Sequence, residues 1–245
     1  MAGFQTPSPM PTSKLLDLTL QNGGRVSAIA AGPRRAESAF VFAHGAGAGM
    51  HHPFMAAVAD GLGQRRIATL RYQFPSMQAG KRRVDSPPVA HATVRAAAAM
   101  ASALWPGLPL FAGGKSFGGR MTSQAQAIEP IPGVVGLIFL GFPLHPAGKP
   151  SVERAIHLAS IDVPMLFIHG ERDALAETAE FDAMSHRLGS LASREDVAAA
   201  DHAFHVPKRS GTSDDEVRNS FLDALTVWTH AWRIRPSGPP GNAPT

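Results

Sequence analysis

The chain has 245 residues, 44% of them hydrophobic and 17% charged, with a net charge of +4. That length suits one well-buried core and shows no break in composition that would divide it, and no apolar run reaches the roughly 18 to 20 residues that span a bilayer. Cysteine is absent, which excludes a disulfide framework, a thiol nucleophile and thiolate metal sites.

Short apolar runs bounded by glycine and proline alternate with longer alanine-rich amphipathic stretches, the pattern of a mostly parallel sheet wrapped by helices. Strands are predicted over 14–20 and 25–31, joined by Gln21-Asn22-Gly23-Gly24, a hairpin signal. A strand over 39–43, a helix near 52–64 and a strand over 67–71 follow, then a loop ending at Pro87-Pro88 and a helix over 89–104. A strand over 109–113 runs into Ser116 and a helix to 128, and 134–140 reads as a buried strand. The next stretch of about twenty residues holds at most a short helix near 151–159 before a strand over 164–168. A helix near 175–188, a strand near 194–199 and a helix over 214–233 complete the pattern. The expected organisation is an N-terminal extension over 1–13, one domain over 14–234 and a disordered Pro- and Gly-rich tail over 235–245.

Acyl transfer at a serine requires a fold that exposes the hydroxyl, a base that takes its proton and donors that stabilise the oxyanion. Gly114-Lys115-Ser116-Phe117-Gly118 places Gly-x-Ser-x-Gly at a predicted strand-to-helix junction, where a sharp turn lifts the serine above the sheet. Alone, the pentapeptide also reads as a helix start capped by Ser116; the positions of the other groups favour a nucleophile. The glycine-rich exit His44-Gly45-Ala46-Gly47-Ala48-Gly49 follows the third strand, so the Ala46 N–H is the expected first oxyanion donor and the Phe117 N–H the second. Gly113-Gly114-Lys115-Ser116 has the ending of a phosphate-binding loop, but Pro109 stands where its first glycine belongs.

Downstream, His169-Gly170-Glu171-Arg172-Asp173 lies just past a strand's carboxyl end, with Asp173 the preferred acid and Glu171 the alternative. Asp201-His202-Ala203-Phe204-His205 follows the last strand and offers His202 as the favoured base and His205 as the second candidate. The chain order Ser116, Asp173, His202 is that of the α/β-hydrolase triad. His44, His51 and His52 lack a nearby carboxylate, so no metal is expected, nor any other cofactor.

With these residues in place, the chain resembles the α/β-hydrolase superfamily over about residues 14 to 233. His44 to Gly49, Gly114-Lys115-Ser116-Phe117-Gly118-Gly119-Arg120, Gly141-Phe142-Pro143-Leu144-His145-Pro146 and Asp201-His202-Ala203-Phe204 are similar to a small hydrolase-like family. That family includes a testis-expressed animal protein and a subunit of the nonspecific-lethal histone acetyltransferase complex. Dienelactone-hydrolase-like proteins are more distant relatives. The resemblance implies an α/β-hydrolase fold of about eight strands with helices on both faces, and the same Ser116, Asp173, His202, Ala46 and Phe117 in the same roles.

The expected reaction is hydrolysis of an ester or related acyl bond through an acyl-enzyme. The alternatives are a catalytically weak interaction protein with this fold, and an acyltransferase or perhydrolase sharing the triad. The short connection after the sixth strand leaves no room for a helical lid, so a shallow pocket for a small or flexible acyl substrate is expected. His44, Tyr72, Phe142, Leu144, His145 and Phe204 either line that pocket or pack the core. Basic residues are scattered or in short runs such as Lys81-Arg82-Arg83, so neither nucleic acid nor membrane is an expected partner. The opening residues have neither a basic start nor an apolar segment, which makes the cytoplasm the expected compartment. Oligomeric state is left open.

Overall fold

The computed structural model describes residues 12–81 and 83–232; most of the expected N-terminal extension, Arg82 and the expected disordered tail lie outside the described residues. Strands β1 (Thr12–Thr19) and β2 (Arg25–Gly32) form the antiparallel hairpin expected from the Asn22-Gly23 turn, where Gly23 takes a positive φ of 80°. Six further strands are β3 (Ser38–Ala43), β4 (Ile67–Tyr72), β5 (Leu110–Lys115), β6 (Val134–Leu140), β7 (Met165–Gly170) and β8 (Ala192–Val197). They make one sheet of eight strands in the order β1-β2-β4-β3-β5-β6-β7-β8. β2 is antiparallel to both its neighbours, and every other pairing is parallel.

Both faces of the sheet are covered. Helices α3 (Pro87–Leu104), α4 (Phe117–Ile128) and α5 (Thr178–Leu188) bury Val94, Met121 and Phe181 against one face. Helices α1 (Pro53–Gln64) and α6 (Asp214–Trp232) bury Val58, Leu62, Phe221 and Leu225 against the other. The central strand β3 shows why its run is continuously apolar: Ala39, Val41 and Ala43 enter the first core, whereas Phe40 and Phe42 enter the second. Successive side chains point to opposite faces, and neither face meets water. Burying each phenylalanine stabilises the fold by about 1.5 to 3 kcal/mol.

Two expectations are corrected. Pro87-Pro88 does not close the preceding loop; the prolines occupy the first turn of α3, where the missing N–H has no helical partner to lose. The loop itself contains a four-residue helix, α2 (Pro75–Gln78), also begun by a proline and too short to show a helical period. The connection from β6 to β7 carries only a 3-10 helix, Glu153–Ser160, and adds no lid over the sheet edge.

The topology has a functional consequence. From β3 the chain steps to β4 on one side, while β5 lies on the other. The carboxyl ends of β3 and β5 therefore flank a switch point, the crevice where open parallel sheets bind ligands. No helix among the described residues is long and apolar enough to cross a membrane.

Candidate active site

Ser116 sits between the last residue of β5 and the first of α4, with φ 49° and ψ −111°. A non-glycine residue in the positive-φ region stores of order 1 to 3 kcal/mol. The surroundings enforce it: the Ser116 N–H donates to the Leu140 carbonyl at 3.2 Å, and its carbonyl accepts from Arg120 N–H at 3.0 Å. The flanking glycines are required by close approach. A Cβ on Gly114 would stand 2.3 Å from the Ala43 carbonyl oxygen, and one on Gly118 would stand 2.6 Å from the carbonyl oxygens of Ala43 and His44. The Ser116 side chain makes no cap bond to its own helix, so the capped-helix reading of the motif fails.

The hydroxyl instead meets an imidazole. His202 Nε2 lies 2.9 Å from Ser116 Oγ, and His202 Nδ1 lies 2.7 Å from Asp173 Oδ2. An ionised carboxylate only accepts, so Nδ1–H donates to Asp173 and Nε2 is left to accept from the serine hydroxyl. The Asp173 side chain is fully buried. Burial alone would push its carboxyl up, but the bond and charge of His202, the Leu175 N–H at 2.8 Å and the Lys115 ammonium together hold it below its ordinary value. Asp173 comes from the turn after β7 and His202 from the loop after β8, and the parallel pairing of those strands brings the two turns together.

The loop that carries His202 is held by a residue whose part sequence reading missed. Asp201 Oδ1 accepts from the N–H groups of Ala203 and His205 at 2.8 and 3.0 Å, and the Asp201 N–H donates to the His205 carbonyl at 3.1 Å. An aspartate whose carboxylate accepts from the N–H two residues on forms an Asx turn, and Asp201 at the start of this loop carried that signal.

A small cleft is lined by His44, Ala46, Phe74, Met77, Arg83 and Phe117, the residue that follows Ser116, among others. His44 is buried, donates from Nδ1 to the Gly45 carbonyl at 2.7 Å and accepts at Nε2 from Phe74 N–H at 3.2 Å. Burial lowers its pKa against the opposing pull of the Gly45 carbonyl and Asp85, so the ring is neutral and ties the β3 exit to the β4 exit. Among the described residues, no carbonyl accepts a hydrogen bond from the Ala46 N–H. Ala46 and Phe117 share this cleft.

The remaining expected residues are placed elsewhere. Glu171 accepts from Ala199 N–H at 3.2 Å, and His205 is exposed with Nδ1 2.8 Å from Asp214, so neither alternative meets the Ser116 relay. Of the pocket residues, only His44 lines the cleft. Tyr72, Phe142 and Leu144 are buried in the core beneath α3, α4 and α5, and Phe204 lies in the opposite core, stacked on Phe54 with ring centroids 5.8 Å apart. Burial raises the Tyr72 phenol pKa. His145 is fully buried, with Nε2 3.0 Å from the Glu180 carboxylate and Nδ1 2.9 Å from the Pro146 carbonyl. Each of the five joins an apolar or ion-paired cluster made by distant segments, which their sequence neighbours do not reveal. His52 caps α1 by accepting from Phe54 N–H, and no three His, Asp or Glu among the described residues are grouped to hold a metal ion.

A parallel sheet that presents hydroxyl, imidazole and carboxylate in series at the carboxyl edge of its switch point defines the α/β-hydrolase class. The chain belongs to the alpha/beta hydrolase domain family, whose sequence model matches residues 36–230. Among solved structures, the chain is similar to a dienelactone hydrolase from Anabaena variabilis, with TM-score 0.74 and 18% identity over 91% of this chain and 99% of that one. It is also similar to an α/β serine hydrolase without lid from Xanthomonas campestris, with TM-score 0.66 and 19% identity over 91% and 97% of the two chains. The esterase domain of a Rhodothermus marinus protein gives TM-score 0.69 and 16% identity over 90% and 99%. At these identities the likeness shows the fold. Among curated proteins, none matches the chain.

Proposed function

We propose that the chain is a serine hydrolase that cleaves a carboxylic ester or a related acyl bond. The observation that carries this reading is the series Ser116, His202, Asp173, joined by contacts of 2.9 and 2.7 Å at a strained strand-to-helix turn. His202 Nε2 takes the hydroxyl proton as Ser116 Oγ bonds to the acyl carbon, and Asp173 orients the ring and stabilises its charged form. The carbon–oxygen bond to the leaving group then breaks, and the imidazolium returns the proton to the departing alcohol. Water, deprotonated by the same nitrogen, releases the acid and restores Ser116.

Ala46 and Phe117 N–H are the proposed donors to the oxyanion, and losing one such donor costs about 3 to 4 kcal/mol in the transition state. The cleft holds only about 10 Å³ of water-sized space, and together with the lidless edge that favours short acyl groups. The names of the similar structures, an esterase domain and hydrolases, agree with this chemistry. Within the family, the His44 to Gly49, Ser116 and His202 segments support placement in the small hydrolase-like group that they resemble.

The test is a panel of p-nitrophenyl esters from acetate to decanoate, assayed with the wild type and Ser116→Ala. The proposal expects turnover highest on the short esters and lost on substitution. Turnover that survives Ser116→Ala would contradict it.

A further inference from the structure

The residue before the serine is the one charged side chain of the Gly-x-Ser-x-Gly segment, and the mechanism above leaves it without work. Lys115 ends β5 and turns its ammonium inward beneath the loop after β8. Its Nζ donates to the main-chain carbonyl of His202 at 2.6 Å and lies 5.4 Å from the centre of the Phe204 ring. The third side of the ammonium is the turn after β6, where a Cβ on Gly141 would meet Nζ at 2.9 Å and the His202 ring at 3.4 Å. Gly141, with φ 65°, thus leaves the space that the lysine and the imidazole share.

The charged and titratable groups facing Lys115 are Asp173 from the turn after β7 and Asp201 with His202 from the loop after β8. The turn after β6 contributes Gly141, which carries no charge. One cation therefore bonds the loop that carries the base and acts through its charge on the acid of the neighbouring turn. A charge-assisted bond to a carbonyl is about twice as strong as a neutral one. Here it fastens the residue whose ring must point between Asp173 and Ser116.

We propose that Lys115 is a positioning residue for the Ser116 chemistry: its ammonium anchors the His202 main chain and compensates the buried Asp173 carboxylate. The proposal rests on the serine-hydrolase reading. Burial opposes the two carboxylates and lowers the lysine pKa to about 8. Loss of its proton weakens the anchor, so the rate falls on the alkaline side as pH rises through that value.

The absence of cysteine from the chain permits a chemical test. Hydrolysis of p-nitrophenyl acetate is followed from pH 6 to 9.5 for the wild type, Ser116→Ala, Lys115→Met and Lys115→Cys, the last before and after alkylation with 2-bromoethylamine. Alkylation restores a side chain of lysine length whose ammonium is more acidic than lysine's. Misplacing the base by about 1 Å lowers kcat about 100-fold, so Lys115→Met and untreated Lys115→Cys should lose about 10- to 100-fold in kcat with KM little changed. Alkylation should recover most of kcat and move the alkaline decline to lower pH.

The positioning role is overturned if Lys115→Met keeps the wild-type kcat and pH profile. It is equally overturned if alkylated Lys115→Cys stays inactive, or recovers with its alkaline decline unmoved. Full activity in Ser116→Ala would instead sink the hydrolase reading itself, so the two failures are distinguishable.

Discussion

Helix α4 carries two serine–histidine contacts of nearly equal length, one at its start and one near its middle. Ser116 lies 2.9 Å from His202, and Ser123 lies 2.8 Å from His157 of the 3-10 helix Glu153–Ser160. Distance does not separate them; surroundings do. Ser116 stands at positive φ outside the helix with its hydroxyl free of backbone acceptors, whereas Ser123 is inside the helix and donates its proton to the Arg120 carbonyl at 2.9 Å. His157 Nε2 must then be the donor in the second pair, which leaves it unable to take that proton. His202 has Asp173 behind it; His157 has burial, Arg120 and His91, which lower its pKa to about 4. The proposed catalytic role of Ser116 thus rests on the carboxylate that sets the tautomer and the strain that exposes the hydroxyl, and Ser123 has neither.

The largest effect that distinguishes the pairs is removal of each hydroxyl. Ser116→Ala should lower kcat for p-nitrophenyl acetate by about 10⁴-fold or more, while Ser123→Ala should stay within about threefold of the wild type. Equal losses would erase the distinction drawn here.

Next in size is the acid behind the first ring, set against the second ring itself. Asp173→Asn keeps the shape but favours the wrong imidazole tautomer, and about 10²- to 10⁴-fold should be lost from kcat. His157→Gln, in the same assay, should change kcat by less than about threefold.

A smaller effect follows from the packing that bends the chain at Ser116. Gly118→Ala forces a Cβ against the Ala43 and His44 carbonyls and should destabilise the fold by about 1 to 3 kcal/mol in urea unfolding. An unchanged midpoint would show that the start of α4 is looser than described.

The smallest concerns acid stability. The His157 pKa lies at about 4, below its ordinary 6.5, so between those values the unfolded chain binds a proton that the folded chain refuses. Its contribution is complete above pH 6.5 and declines as pH falls toward 4. Allowing for partial exposure, the loss is about 1 to 2 kcal/mol. Thermal or urea unfolding across that window should show His157→Gln losing less stability than the wild type, and parallel curves would remove His157 from the account.

Only the Ser116 side of this contrast was legible in the sequence, because its signals are local, whereas Ser123 and His157 carried none. Gly114, Ser116 and Gly118 fall at a strand end, and Val134 to Leu140 is apolar throughout because both sides of β6 are covered. The order of Ser116, Asp173 and His202 along the chain also told in advance which turns would meet. What stayed hidden depends on segments far apart. Tyr72, Phe142, Leu144 and Phe204 look alike as pocket or core until the helices above them are placed. Lys115 has no assigned part in the sequence, where Pro109 already argues against a phosphate loop, until the His202 carbonyl is found 2.6 Å from its ammonium. Pro87-Pro88 misleads for a different reason, since a proline ends one element and begins another with the same backbone angle.

The most direct test of the Ser116 assignment is covalent. The wild type, Ser116→Ala and Ser123→Ala are treated with a fluorophosphonate probe, and the adduct is counted by intact mass and located by peptide mapping. The account predicts one adduct per chain on Ser116 in the wild type and in Ser123→Ala, and none in Ser116→Ala. An unlabelled wild type, or an adduct that persists in Ser116→Ala, would contradict it.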